Sequence, residues 1–285
     1  MAERIHSSDT QLFINGTGVP AINSLSISSS KEVEDIARLG TYHTTERIIK
    51  SNQTSSVSIG MFLTTGATGV DPIYNPQKKE EGFLSTGKFD FQIKDLVGVT
   101  TITGASMTSY SINGSVGSLV EGSTSYEGDG ATFTSAGAIS MSEQRTDNFG
   151  GFFLPRNIEI TTTETDNGKE AVNTSALNIQ SFDISVDMSR RAVKRLGNRH
   201  ASFRYPELPA RGSLSFSMIK NLVTGLDLSE TICDSGIIKI DLKDDSNDSL
   251  FHLTTSGCCL ESVEESTALD DNTTINFSYY FPIIQ

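Results

Sequence analysis

The chain has 285 residues, of which 36% are hydrophobic and 20% charged, and a formal net charge of −13. That acidity excludes a generally cationic nucleic-acid binder but leaves room for a protein that touches DNA without holding it. With 38 Ser, 30 Thr and 24 Gly against 15 Phe and 7 Tyr, the composition suits many short strands around a core and argues against a helical bundle or wholesale disorder.

The opening MAERIHSSDT has no apolar signal core. No apolar run approaches the roughly 18–20 residues of a membrane span, so the chain is expected to be made in a cytoplasm and to stay out of membranes. A length well above about 150 residues suggests two domains. From Ile22 onward the pattern is period two: Leu25 and Ile27 alternate with Ser24, Ser26 and Ser28, and Val57, Ile59 and Met61 alternate with Ser56, Ser58 and Gly60. Such alternation marks half-buried strands. A charged excursion, 30–54, separates the two. Tyr110 and Ile112 then alternate with Ser109 and Ser111, and residues 127–150 read as a linker or surface excursion.

The pattern then recurs. Residues 22–62 align without a gap on 179–219, with 12 identities in 41, among them Arg38/Arg195, Leu39/Leu196, Gly40/Gly197, His43/His200 and Arg47/Arg204. FDFQIKD (89–95) is similar to IKIDLKD (238–244), Gly104–Met107 to Gly257–Leu260, and Ser125-Tyr126 to Ser278-Tyr279. Two copies of one domain explain this, over 1–135 and 151–285 with a linker at 136–150. In the second copy Phe182, Ile184 and Val186 alternate with Ser181, Asp183, Ser185 and Asp187. Leu214, Phe216 and Met218 alternate with Ser213, Ser215 and Ser217, and Ile275, Phe277 and Tyr279 with Thr274, Asn276 and Ser278. The second excursion, 187–211, holds Pro206 and Pro209, which argue against a helix there. A short helix is expected at 221–233. The fold class is therefore mainly β, in two tandem copies, each with a short flanking helix and a long charged hairpin loop.

No chemistry-bearing motif stands out. Cys233, Cys258 and Cys259 are an odd set with an adjacent pair, a poor disulfide framework. The four His are scattered, and His43 and His200, equivalent in the repeat, read as structural loop residues. The acidic run at Asp244, Asp245 and Asp248 lacks the spaced ligands of a calcium loop. No phosphate loop or hydrolase elbow occurs. Catalytic residues, metal sites and cofactors are expected to be absent.

Two features point elsewhere. The polar positions named on these strands carry Ser, Thr, Asn and Asp, with Gly60, and none of them is Lys or Arg, whereas an ordinary exposed face mixes long charges of both signs. A short, neutral-to-acidic face lets a polyanion pass, because it offers phosphates no cation and repels them within the Debye length. The charge is also split: residues 188–211 hold Arg190, Arg191, Lys194, Arg195, Arg199, Arg204 and Arg211 against Glu207, while ESVEESTALDD (261–271) carries five acids and no base. A basic loop in so acidic a chain suits a head-to-tail contact with another copy, the kind that builds rings or filaments.

The pattern INSLSISSSKEVEDIARLG…SSVSIGMF, its copy IQSFDISVDMSRRAVKRLG…GSLSFSMI, and the hairpin 106–128 resemble the major tail tube proteins of long-tailed bacteriophages, in a tandem-duplicated variant. The resemblance implies a tail-tube-type β-sandwich or barrel domain in each copy. It implies homotrimeric, pseudo-hexameric rings stacked around a lumen that conducts phage DNA into the host without binding it specifically. The expected lumen-facing residues are Ser24, Ser26, Ser28, Ser56, Ser58, Asp183, Asp187, Ser213, Ser215 and Asn276. Arg38, Arg190, Arg191, Lys194, Arg195 and Arg199 are expected at the contact between rings. The partners implied are further copies, the tape measure, a terminator, a distal tail or baseplate protein, and a sheath in contractile tails. The location implied is the virion tail, assembled in the host cytoplasm. A tail hub, terminator or adaptor of the same fold is the alternative, and a carbohydrate-binding β-sandwich is a third class.

Overall fold

The structure, a computed structural model, describes residues 10–19, 21–31, 33–36, 46–49, 53–64, 88–95, 97–135, 158–163, 178–193, 195, 201, 203–219, 236–243, 249–267 and 273–283. Every regular element among them is a β-strand. The first half of the chain contributes β1 (Gln11–Ile14), β2 (Thr17–Gly18), β3 (Ile22–Ser30), β4 (Val33–Ile36), β5 (Glu46–Ile49), β6 (Thr54–Phe62), β7 (Phe89–Lys94), β8 (Gly98–Ser115), β9 (Glu121–Gly128) and β10 (Ala131–Ser135). The second contributes β11 (Ile158–Thr163), β12 (Asn178–Asp187), β13 (Arg190–Val193), β14 (Phe203–Pro206), β15 (Arg211–Ile219), β16 (Gly236–Lys243), β17 (Ser249–Ser266) and β18 (Thr274–Pro282).

One continuous antiparallel sheet runs β3, β6, β9, β8, β12, β15, β18, β17. Its centre is the pairing of Ser109–Ser115 on β8 with Ser181–Asp187 on β12, so main-chain hydrogen bonds join the two halves. Val116 N–H donates to Gln180 O at one end of this seam, and Met188 N–H to Thr108 O at the other, each at 2.8 Å.

Alternation decides which face is buried. Val57, Ile59 and Met61 on β6, Tyr110 and Ile112 on β8, Ile184 and Val186 on β12, and Leu214 and Phe216 on β15 all lie in the core, as their spacing predicts. In the first half β1, β7 and the N-terminal part of β8 form a second layer. Phe91 from that layer meets Tyr126 of β9 with ring centroids 4.7 Å apart. In the second half β11, β16 and the N-terminal part of β17 pair in the same way. Thus β8 and β17 serve both sets of strands. They do so at Gly104 (φ 67°) and Gly257 (φ 68°), a left-handed backbone that glycine takes without strain. The buried apolar residues of both halves form one cluster.

Registers recur along the chain. Adding 157 to the β3–β6 ladder reproduces the β12–β15 ladder, including the irregularity at Ile22/Ser24 and Ile179/Ser181. The same shift takes the ribbon β4–β5, with Val33 opposite Ile49, onto β13–β14, with Arg190 opposite Pro206. A shift of 153 takes β8–β9 onto β17–β18, with irregularities at Met107/Ser109 and Leu260/Ser262.

Three expectations need correction. Residues 127–135 are not linker: 127 and 128 end β9, and β10 pairs with the start of β8. The match of 89–95 to 238–244 is two residues out of step. Phe91 faces Ile102 on β8 and Ile238 faces Thr255 on β17, so Phe91 corresponds to Ile238, not Ile240. A two-residue slip keeps every side chain on its own face, so alternation cannot detect it. Finally, alternation puts Ile27 on the buried face of its strand, yet it is 38% exposed, because β3 has a neighbouring strand on only one side among the described residues. The expected helix at 221–233, the linker at 136–150, His43 and His200 lie outside the described residues.

Candidate functional site

The continuous sheet turns one face away from the core. Because side chains alternate, the ladder determines which residues share that face. One row across it reads Ser26, Ser58, Ser125, Ser109, Asp187, Arg211. Another reads Glu121, Asn113, Asp183, Ser215, Ser278, Ser262. All ten residues expected to face a lumen stand on this one face: Ser24, Ser26 and Ser28 on β3, Ser56 and Ser58 on β6, Asp183 and Asp187 on β12, Ser213 and Ser215 on β15, and Asn276 on β18. None of the ten is buried.

The hydroxyls of this face bond to one another across strands. Ser28 Oγ lies 2.7 Å from Ser56 Oγ, and Ser185 Oγ lies 2.6 Å from Ser213 Oγ, the same pair shifted by 157. Ser58 and Ser125 are 3.1 Å apart, and Ser266 and Thr274 2.7 Å. Short hydroxyls paired in this way present few long, mobile groups to a passing ligand. The face also carries Glu121, Glu127, Asp183, Asp187 and Glu264 against one described cation, Arg211. Partial burial pushes the Asp183 carboxyl above its ordinary range. The Arg211 guanidinium sits 5.9 Å from the centre of the Tyr280 ring, a cation–π contact that holds it against the sheet. Glu121, Glu127 and Tyr280 were not singled out from the sequence, and Arg211 was read there only as part of the basic segment 188–211. Their membership depends on the register of distant strands, while Ser109, Ser111 and Ser185 were visible by alternation.

The basic segment behaves differently. Antiparallel pairing sets Arg190 opposite Pro206 and Ala192 opposite Arg204 on one side of the β13–β14 ribbon. That side faces the protein's own first half. Arg190 Nε–H donates to Met107 O at 2.6 Å. The Arg204 side chain is only 3% exposed and lies 2.7 Å from Asp129 and 3.3 Å from Glu127. Burial lowers the pKa of the Arg190 guanidinium, which nonetheless stays cationic in the physiological range. The other side of the ribbon carries Phe203 and Tyr205, 44% and 39% exposed, with ring centroids 6.1 Å apart. Arg191 and Arg195 are exposed. Arg38, Lys194 and Arg199, and the acidic run at Asp244, Asp245 and Asp248, lie outside the described residues.

Among the described residues, no three His, Cys, Asp or Glu side chains gather where a metal could bind, and no helix is long and apolar enough to cross a membrane. Cys258 is buried, and Cys259 is partly exposed. No family model matches the sequence, and no curated protein matches it.

Proposed function

We propose that this chain is the subunit of a bacteriophage tail tube, built from two copies of one domain and assembled into stacked rings around a bore that conducts DNA. The observation that carries the reading is the continuous sheet with one apolar face in the core and one short, hydroxyl-rich, net acidic face outside it. The recurring registers support the two-copy reading, since each half supplies four strands to the sheet in the same order. Three chains would then bring 24 strands to one barrel. At about 4.8 Å between strands and a tilt near 45°, its circumference is roughly 160 Å and its diameter roughly 50 Å. Side chains reduce the bore to about 40 Å, wide enough for a DNA duplex. Carboxylates and bonded hydroxyls on the wall repel or ignore phosphates, so DNA slides. Arg191, Arg195 and the Phe203/Tyr205 side of the ribbon are the groups offered to an adjacent ring, together with Arg38, Lys194 and Arg199. Arg190 and Arg204 hold the ribbon at its base.

Negative-stain electron microscopy of the purified protein, concentrated from low to physiological salt, tests the reading. Hollow tubes or six-lobed rings with a stain-filled centre are expected. A stable monomer that binds glycans on an array would overturn it in favour of an adhesive β-sandwich.

A further inference from the structure

The β4–β5 and β13–β14 ribbons are equivalent under the shift of 157, yet their chemistry differs. The strands of the first hold three acids, Glu34, Asp35 and Glu46, and one arginine, Arg47. Those of the second hold three arginines, Arg190, Arg191 and Arg204, and no acid. One arginine, Arg47 in the first and Arg204 in the second, is common to both. In the first ribbon the position opposite it is Asp35. In the second that position is Ala192. Opposite charges facing each other across an antiparallel pair attract, so the first ribbon carries its own partner for the arginine. The strands of the second offer Arg204 none, and its guanidinium meets the body of the protein instead, 2.7 Å from Asp129 and 3.3 Å from Glu127.

Charge, not apolar packing, therefore holds the second ribbon down. No described residue from 189 to 209 belongs to the apolar cluster shared by the two halves. The one buried residue on β13 and β14 is Arg204 itself, 5% exposed. Beside it Arg190 Nε–H donates to Met107 O. Arg204 Nε is buried without a hydrogen-bond partner among the described residues. A buried cation stays in place only while its counter-charges do. Without them the guanidinium gains by moving into water, and the ribbon moves with it, because no described apolar side chain anchors it in the core.

We infer that the β13–β14 ribbon is a strap latched within its own chain: Arg204, clasped by Asp129 and Glu127, holds it over the end of β9, and without that clasp it lifts as a unit from an intact sheet. An anionic group competing for Arg204, or a cationic group competing for the two carboxylates, opens the latch. Closed, it fixes the direction in which Phe203 and Tyr205 point. Open, it bares Arg190, Arg204 and both acids. The β4–β5 ribbon, with Asp35 opposite Arg47, does not depend on the body in this way. The latch lies inside one chain, so the inference stands apart from the tube reading and applies to a monomer.

Arginine modification with phenylglyoxal, read residue by residue by mass spectrometry, tests the latch on the full chain. Exposed Arg191 and Arg195 are the reference. In the unsubstituted protein they should react several-fold faster than Arg204. In a Glu127→Gln, Asp129→Asn double variant Arg204 should react at a rate close to theirs, while the circular dichroism and the cooperative urea transition of the folded chain persist. Ala192→Asp supplies the cross-strand acid of the first ribbon. It should also raise the reactivity of Arg204, but by less, because the new partner travels with the strap. Equal reactivity of Arg204 and Arg191 in the unsubstituted protein overturns the latch. So does an Arg204 that stays protected after both carboxylates are removed. A double variant that loses its cooperative transition overturns it too, since the strap would then be part of the core. Each of these outcomes leaves the tube reading where it stands.

Discussion

β3 and β12 carry the same alternation of serine with aliphatic residues, in ladders of identical register, yet they bury it differently. On β12, Ile184 is fully buried between β8 and β15. Its counterpart on β3, Ile27, is 38% exposed with a strand on one side only. The strands differ in their neighbours, not in their pattern. Burial at Ile184 comes from chain continuity, because the first half of the molecule supplies β8. At Ile27 no such neighbour stands alongside among the described residues.

The comparison can be broken most strongly in the core. Ile184→Ala should cost about 3 kcal/mol in chemical denaturation, with Ile27→Ala costing less than about 1 kcal/mol in the unassembled chain. Equal costs would mean that the two strands share one environment. Next comes the tie between the halves. Arg204→Ala strands Asp129 and Glu127 beside the ribbon base, and because both carboxylates keep some access to water, a loss of about 2 kcal/mol is expected. If Arg204→Ala and the unsubstituted chain unfold at the same urea concentration, the contact contributes nothing to stability.

Two smaller changes sharpen the parallel between halves. Gly104→Ala and Gly257→Ala each force a Cβ onto left-handed backbone and should each cost about 1 kcal/mol. A large cost at one and none at the other would show that the two bends do different jobs. The smallest effect is at Asp183. Its carboxyl is raised by partial burial, so its charged form is disfavoured in the folded chain. The folded state therefore gives up stability as pH rises through the carboxylate range, above about pH 4. Asp183→Asn should be slightly more stable than the parent chain at neutral pH and no more stable below that range. A thermal melt at pH 3 and pH 7 checks the sign.

Much of this was legible in the chain. Period-two alternation located β3, β6, β12, β15 and β18 and assigned their faces, because a strand with one wet side leaves that signal wherever it lies. The charged excursions were located too, and each contains a two-stranded ribbon. What alternation could not provide was order. The pairing of β8 with β12, the open edges, and the membership of Glu121 and Arg211 on the polar face depend on which distant strand comes alongside. β10 was hidden inside a polar stretch, ATFTS, whose one large apolar residue, Phe133, remains exposed. Arg204 could be counted as part of a basic block, but its burial against Asp129 depends on how the ribbon folds back over the first half.

The most direct test of the central claim is a cryo-electron microscopy map of the assembled protein that resolves the side chains lining its central opening. The account predicts a closed barrel with Ser26, Ser58, Asp183, Asp187 and Ser215 on its inner wall and the apolar residues turned outward into the subunit. A bore lined by the arginines of the β13–β14 ribbon, or an assembly with no bore at all, would contradict it.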